Sequence, residues 1–236
     1  MRSIKACFTA LMLIASLALA GEDARKPSDE AKKLDDATTV LKEFGAMSEG
    51  APQNLRENAA GVVVIPGMIK AGLGVGGQHG SGLLSIKNPD GSWTEPVFVK
   101  MTGGSIGFQI GASSTDLVLF FMREKNIRAV LNGEFTLGGS ATVAAGPVGR
   151  SGSADTSAKL DAEIYSYSRS RGAFAGISID GSKLYVNKSA NESFYSKDAT
   201  AESIVAMKPG TASPTEAFRT ELGALTKART AQKASQ

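Results

Sequence analysis

The sequence predicts an α+β fold in which a glycine-rich, strongly bent and mostly antiparallel β-sheet is flanked by N- and C-terminal helices. Twenty-two of the 27 glycines fall between Gly61 and Gly181, where they separate short apolar and β-branched runs. Stretches with the apolar period of a helix lie before and after this region. Because glycine within a strand marks a bulge, a bend or a close backbone approach, the sheet is expected to curl, either openly or toward a barrel.

The N-terminal helix is predicted to begin after Ser28, a favoured N-cap residue, and to run to about Phe44. Its apolar stripe includes Leu34 and Leu41, and charged residues occupy the opposite face. Such a helix either covers the sheet or lies on a membrane surface, and covering the sheet is the commoner arrangement.

The remaining elements follow from turn signals at 88–91 and 180–181 and from capping patterns at 189–192 and 213–216. Further helices are predicted at 52–60 and 124–132, and a closing helix follows Pro214. The predicted strands are 62–65, 83–86, 97–101, 105–110, 117–122, 135–143, 160–168, 174–179 and 183–186.

The first twenty residues are predicted to be a signal peptide, with a retained anchor as the less favoured alternative. Arg2 and Lys5 precede an apolar stretch, and Ala18-Leu19-Ala20 forms an A-x-A cleavage site. Residues 21–229 are expected to form one domain with a frayed tail at 230–236. The mature chain would then carry a formal charge of +1 and lack the single cysteine, Cys7, which excludes disulfides and makes nucleic-acid binding unexpected.

Two glycine-rich motifs resemble enzyme fingerprints but lack the context that the chemistry needs. Gly103-x-Ser105-x-Gly107 matches a nucleophile elbow, yet the only histidine, His79, precedes the serine. The G-x-G-x-x-G run at 72–77 is followed by residues that cannot open a helix, so a pyrophosphate would lack a helix N-terminus. We therefore expect no catalytic residues, no metal and no cofactor.

Period-two alternation over residues 163–171 predicts a strand with Tyr165, Tyr167, Arg169 and Arg171 on one face. Tyrosine rings and guanidinium groups together form an amphipathic surface that suits phosphate headgroups. The alternative is that the tyrosines fill an edge of the core while the arginines are solvated.

Long blocks of the chain resemble the SYLF-domain family, a lipid-binding module with bacterial and eukaryotic branches. Among them are VIPGMIKAGLGVGG at 64–77, TGGSxGxQIG at 102–111 and AEIYSYSRSRGxFAG at 162–176. The resemblance covers about residues 30 to 225. It implies phospholipid binding, including phosphoinositides in eukaryotic members, some of which also bind actin. Because no SH3 or FYVE domain is evident here and bacterial relatives are typically exported, actin binding is not expected.

We therefore predict an exported, periplasmic or secreted, non-enzymatic domain that docks on anionic phospholipid membranes through a basic and aromatic patch. A cell-envelope structural or protein-interaction module is the alternative, and an enzyme of unknown class is less favoured. The residues expected to contact lipid are Lys70, Lys100, Arg150, Tyr165, Tyr167, Arg169 and Arg171, and those expected to insert into the membrane are Leu34, Leu41 and Phe44.

Overall fold

The structure, a computed structural model, describes residues 28–47, 50–147, 161–170, 173–211 and 213–227; side chains at 73–75, 105–111 and 170 are not among them. The predicted signal peptide therefore lies outside the described residues. The helices are α1 (Asp29–Ala46), α2 (Gln53–Asn58), α3 (Glu124–Leu131), α4 (Lys188–Phe194), α5 (Ala201–Ala206) and α6 (Glu216–Thr226). The strands are β1 (Gly61–Ile86), β2 (Val97–Phe121), β3 (Glu134–Thr136), β4 (Val143–Ala145), β5 (Ile164–Ser170), β6 (Ala173–Gly176) and β7 (Lys183–Val186).

The long hairpin formed by β1 and β2 is the spine of the sheet. The two strands pair antiparallel from Gly61 opposite Phe121 to Leu84 opposite Val97, with two register shifts along the way. One end of β2 also pairs with β7, and its other end pairs with β5. Strand β3 extends the sheet beyond β7, whereas β6 and the parallel strand β4 both pair with β5. All pairs except β4 with β5 are therefore antiparallel.

Strand β1 folds back so that its beginning and end lie against each other. A straight strand of its 26 residues would measure roughly 85 Å. Instead, a Cβ placed on Gly82 would lie 2.0 Å from the carbonyl oxygen of Val64, which is close backbone contact within the same strand. Just beyond the two ends, the Lys87 N–H donates to the Ala60 carbonyl at 2.9 Å. The sheet is thus a half-barrel.

Away from the bend, both faces of the sheet are buried, which explains why the runs at 62–65 and 117–121 are apolar at every position. Val64 and Phe120 face a first core covered by α1, α2, α4 and α6. Ile65 and Leu119 face a second core that receives Ile127 from α3 and further residues from α5. Alternate residues of one strand therefore enter two different cores.

The predicted fold class is confirmed, and the errors concern where strands end. The glycines at 72–82 and 103–111 do not end strands as expected, because pairing between β1 and β2 resumes after the register shift at Leu73/Gly74. The predicted strand at 135–143 is wrong, since Gly138, with φ of +81°, forms a turn between β3 and β4. The predicted N-cap is confirmed, since the Ala31 N–H donates to the Ser28 hydroxyl at 3.1 Å.

Candidate binding surface

The two tyrosines of the predicted stripe lie in the first core. Tyr167 is fully buried and Tyr165 nearly so. The Tyr167 ring lies 5.2 Å from that of Phe44 and 5.8 Å from that of Phe120, and its hydroxyl donates to the Pro147 carbonyl at 3.0 Å. Burial raises the pKa of the Tyr167 hydroxyl. The tyrosines therefore occupy the core position that the sequence left as an alternative.

Arg169 joins three elements through its guanidinium group. Its Nε and Nη2 donate to Asp116 Oδ2 at 2.9 and 2.7 Å, and its Nη1 pairs with Glu43 of α1. The guanidinium carbon also lies 5.4 Å from the centre of the Phe174 ring on β6. Arg169 is therefore engaged within the protein rather than solvated, while Arg150 and Arg171 lie outside the described residues.

Replacing Arg169 with methionine is expected to lower the free energy of unfolding by about 2 kcal/mol, because Asp116 would keep its charge but lose its partner. The matched control is Lys183→Met, which removes the more exposed ion pair with Glu134 and should cost less than about 1 kcal/mol. Urea unfolding followed by circular dichroism measures both. Equal losses in the two variants would show that Arg169 does not hold the elements together.

The residues predicted to insert into a membrane lie on the buried face of α1. Leu34, Leu41 and Phe44 are 4%, 1% and 1% exposed and pack into the first core with residues of the sheet. Of the two arrangements that the sequence allowed for this helix, the structure shows the one in which it covers the sheet. Insertion of these three side chains would require α1 to leave the sheet.

Lys70 and Lys100 lie on the spine hairpin as half-buried cations. Lys70 stands opposite Ser113, and Lys100 stands between Ser81 and Tyr185. Neither ammonium has a carboxylate within ion-pair distance among the described residues. Burial lowers the pKa of Lys70, since desolvation disfavours its charged form. With no carboxylate partner among the described residues, both side chains are available to an external anionic partner.

Ile69, next to Lys70, is a contact candidate that the sequence reasoning missed. Its side chain is 54% exposed, and Met207 is the only other exposed large apolar side chain in the described part of the chain. We use the term bend surface for residues 67–72 of β1 and 112–114 of β2, which flank the point where the hairpin folds back. The signal was present in Met68-Ile69-Lys70, where an apolar residue adjoins a cation just after Gly67, which has positive φ and lies at a register shift of β1.

The enzyme motifs have no structural support. Residues 103–107 and 72–77 both lie within the long strands, so neither meets the strand–turn–helix context of its fingerprint. His79 stands opposite Thr102 in the same hairpin. In the described part of the chain, no cluster of His, Cys, Asp and Glu side chains could hold a metal ion. None of the described helices has the length and apolar character of a membrane span.

A family comparison identifies the chain. Residues 102–228 match the model of the Ysc84 family, which is described as Las17-binding protein actin regulator. The chain belongs to the Ysc84 family. This confirms the SYLF-domain resemblance drawn from the glycine-rich blocks and the Tyr-Arg strand.

Relatives of this Ysc84-family chain occur in animals and yeast. It is 37% identical to SH3 domain-containing YSC84-like protein 1 of Xenopus laevis over 179 residues, which cover 73% of this chain and 53% of that protein. The human protein of the same name is 35% identical over 183 residues, covering 75% of this chain and 52% of that protein. LAS seventeen-binding protein 3 of Saccharomyces cerevisiae is 35% identical over 165 residues, covering 69% and 36%. The chain thus spans about half the length or less of these relatives.

The comparison corrects two predictions. The expectation that actin binding plays no part is wrong, because the Ysc84 family is described as an actin regulator that binds Las17. The predicted periplasmic or secreted location is wrong as well, because the matched relatives are named as SH3 domain-containing and Las17-binding proteins rather than exported ones. Their names describe binding and regulatory proteins, not enzymes.

Proposed function

We propose that this chain is a non-enzymatic domain that docks on anionic phospholipid surfaces through the bend surface. The observation that carries the proposal is the pairing of exposed Ile69 with Lys70, a half-buried cation without an ion-pair partner among the described residues. Neighbouring residues of a strand point to opposite faces, so we propose that the two-stranded bend enters the interface edge-on, with Ile69 toward acyl chains on one face and Lys70 toward negatively charged headgroups on the other. Arg169 is a poorer candidate, since Asp116 and Glu43 already neutralise its charge.

The binding free energy expected from Ile69 and Lys70 alone is too small for stable docking. Burying the exposed half of an isoleucine contributes about 1 kcal/mol, and one lysine near an anionic surface contributes about 1 kcal/mol more. Their sum is below the roughly 4 kcal/mol of even millimolar binding. We therefore propose that further contacts contribute to docking. Contacts by Lys100, Arg150 and Arg171 stay predictions.

The test is flotation with phosphatidylcholine vesicles that do or do not contain phosphatidylglycerol. The double variant Ile69→Ser/Lys70→Ala is expected to bind anionic vesicles roughly thirtyfold more weakly, which corresponds to about 2 kcal/mol. Raising the salt should weaken binding of the unmodified chain, because it screens the lysine.

Met207 and Lys208 provide a matched control, since they are the other exposed apolar side chain and its neighbouring lysine. The variant Met207→Ser/Lys208→Ala should bind vesicles like the unmodified chain. Equal binding by both double variants would refute the proposed surface. Equal binding to vesicles with and without phosphatidylglycerol would refute the role of lipid charge.

A second candidate function is binding to a protein of actin regulation, which the family description and the name of the yeast relative support. The match of the family model to residues 102–228 of this chain supports this proposal. Purified Las17 retained on the immobilised chain would support this function, and retention no higher than on a blank matrix would exclude it for this chain.

A further inference from the structure

A cleft lies along one face of α6, on residues distinct from the bend surface. Its volume is about 470 Å³, and besides the helix it is lined by the turn at Gly91–Trp93 and the connection at Pro209–Thr211. The helix contributes residues spaced three or four apart, which share one stripe: Glu216, Arg219, Thr220, Gly223, Ala224 and, just past the helix end, Lys227.

The shape of this α6 cleft fits a linear ligand. The lining stripe runs from Glu216 to Lys227, which corresponds to roughly 16 Å along a helix. That length matches about five residues of an extended polyproline II chain. Gly223 and Ala224 keep the floor low, so a peptide backbone can approach closely.

Two residues that line the α6 cleft, Trp93 and Arg219, have buried hydrogen-bond donors without acceptors. Trp93 is 3% exposed, and its indole Nε1 has no hydrogen-bond partner among the described residues. The same holds for Arg219 Nε, which lies 3.6 Å from Glu95 Oε1, while Arg219 Nη2 donates to the Gly210 carbonyl at 2.8 Å. An unmade hydrogen bond of a buried donor costs about 1–3 kcal/mol, so an acceptor that reaches these nitrogens gains affinity.

The charges favour a neutral acceptor over an anion. Glu95 lies beside Arg219, and Glu216 on the same stripe offsets Lys227 at its far end. A phosphate or carboxylate would meet these acids, whereas a peptide carbonyl would not. Carbonyls of an extended chain are free to accept, while those of a helical ligand are already used within the helix.

We propose that the α6 cleft binds an extended, polyproline-type peptide segment of a protein partner. Its carbonyls accept from Trp93 Nε1 and Arg219 Nε, and its apolar rings pack against the Trp93 and Pro209 side of the cleft. Because both nitrogens are covered from solvent, the peptide has to displace part of the cleft lining to reach them, and we expect the connection at Pro209–Thr211 to move, since Arg219 donates to its Gly210 carbonyl. This inference is independent of membrane docking.

The probe is a capped ten-residue polyproline peptide, with a capped glycine–serine peptide of equal length as its control. Calorimetric titration measures binding, and Trp93, the only tryptophan of the chain, reports the location through its emission. We expect polyproline to bind with a change in Trp93 emission and the control peptide to bind at least about tenfold more weakly. No heat at about 1 mM polyproline, or equal binding of both peptides, overturns the proposal.

Filling the cleft tests the site itself. Gly223 lines the cleft and a Cβ placed on it meets nothing within 4 Å, so Gly223→Leu is expected to fill part of the cleft. Gly133→Leu makes the same change at another open glycine, away from the cleft. We expect Gly223→Leu to weaken polyproline binding at least about tenfold and Gly133→Leu to leave it unchanged. Unweakened binding in Gly223→Leu, with folding verified by thermal melting, overturns the site, whereas vesicle flotation of that variant tests membrane docking separately.

Discussion

Phe44→Ala is expected to lower the free energy of unfolding by about 3–5 kcal/mol, as for other fully buried aromatic residues. The Phe44 ring lies 4.7 Å from Phe174, 5.2 Å from Tyr167 and 5.8 Å from Phe120, with two of these contacts edge to face. Removing it leaves a cavity at the point where α1 crosses the first core. Urea unfolding monitored by circular dichroism gives the change directly.

Ile69→Ala serves as the control for this prediction. Because the Ile69 side chain is 54% exposed, this replacement should lower the free energy of unfolding by less than about 1 kcal/mol. The pair also separates two roles of α1. A Phe44→Ala variant that stays as stable as the unmodified chain but loses vesicle binding would mean that Phe44 inserts into the membrane instead of holding the core.

Gly82→Ala is expected to lower stability by more than about 3 kcal/mol, because the added Cβ would lie 2.0 Å from the Val64 carbonyl oxygen and 2.8 Å from Ile65 Cα. Both atoms belong to the backbone, which cannot rotate away as a side chain can. Relief requires the two ends of β1 to separate, and that would open both cores. Thermal unfolding and the yield of soluble protein measure the effect.

Gly104→Ala tests whether this cost comes from the close approach rather than from strand glycines in general. Gly104 lies in β2, and a Cβ there meets nothing within 4 Å. Alanine should therefore be neutral or stabilising by a few tenths of a kcal/mol, because it reduces the entropy of the unfolded chain. If Gly82→Ala and Gly104→Ala unfold at the same temperature, the fold-back of β1 does not depend on Gly82.

Much of the fold could be predicted from local patterns. Apolar runs such as 62–65 and 117–121 predicted strands, and the glycines between them predicted a bent sheet, which the structure confirms. Strand continuity could not be predicted, since a glycine that ends one strand looks the same in sequence as a glycine that lets another strand bend. The difference comes from pairing with a partner strand, here Gly77 with Gly104.

The Tyr-Arg strand shows the same limit for the candidate site. Period two correctly predicts that Tyr165 and Tyr167 share one face of the strand, but it cannot tell that this face is the one covered by the first core. That depends on where α1 docks, and the partners of Arg169 are Glu43 and Asp116, both distant in sequence. Exposure of Ile69 was hidden for the opposite reason, because isoleucine in a strand is ordinarily buried.

The shared use of β2 has a consequence for the order of folding. Its residues 99–102 pair with β7 and its residues 116–121 with β5, while β1 pairs along nearly the whole strand. The connection between Ile86 and Val97 closes the shortest loop, so zipping of the hairpin is expected to start there and to pass through the bend before it reaches Phe121. Docking of β5, more than forty residues further along the chain, then completes the slow, non-local step. During synthesis, the edge of β2 that later pairs with β5 and β7 would therefore stay exposed until these strands have been made.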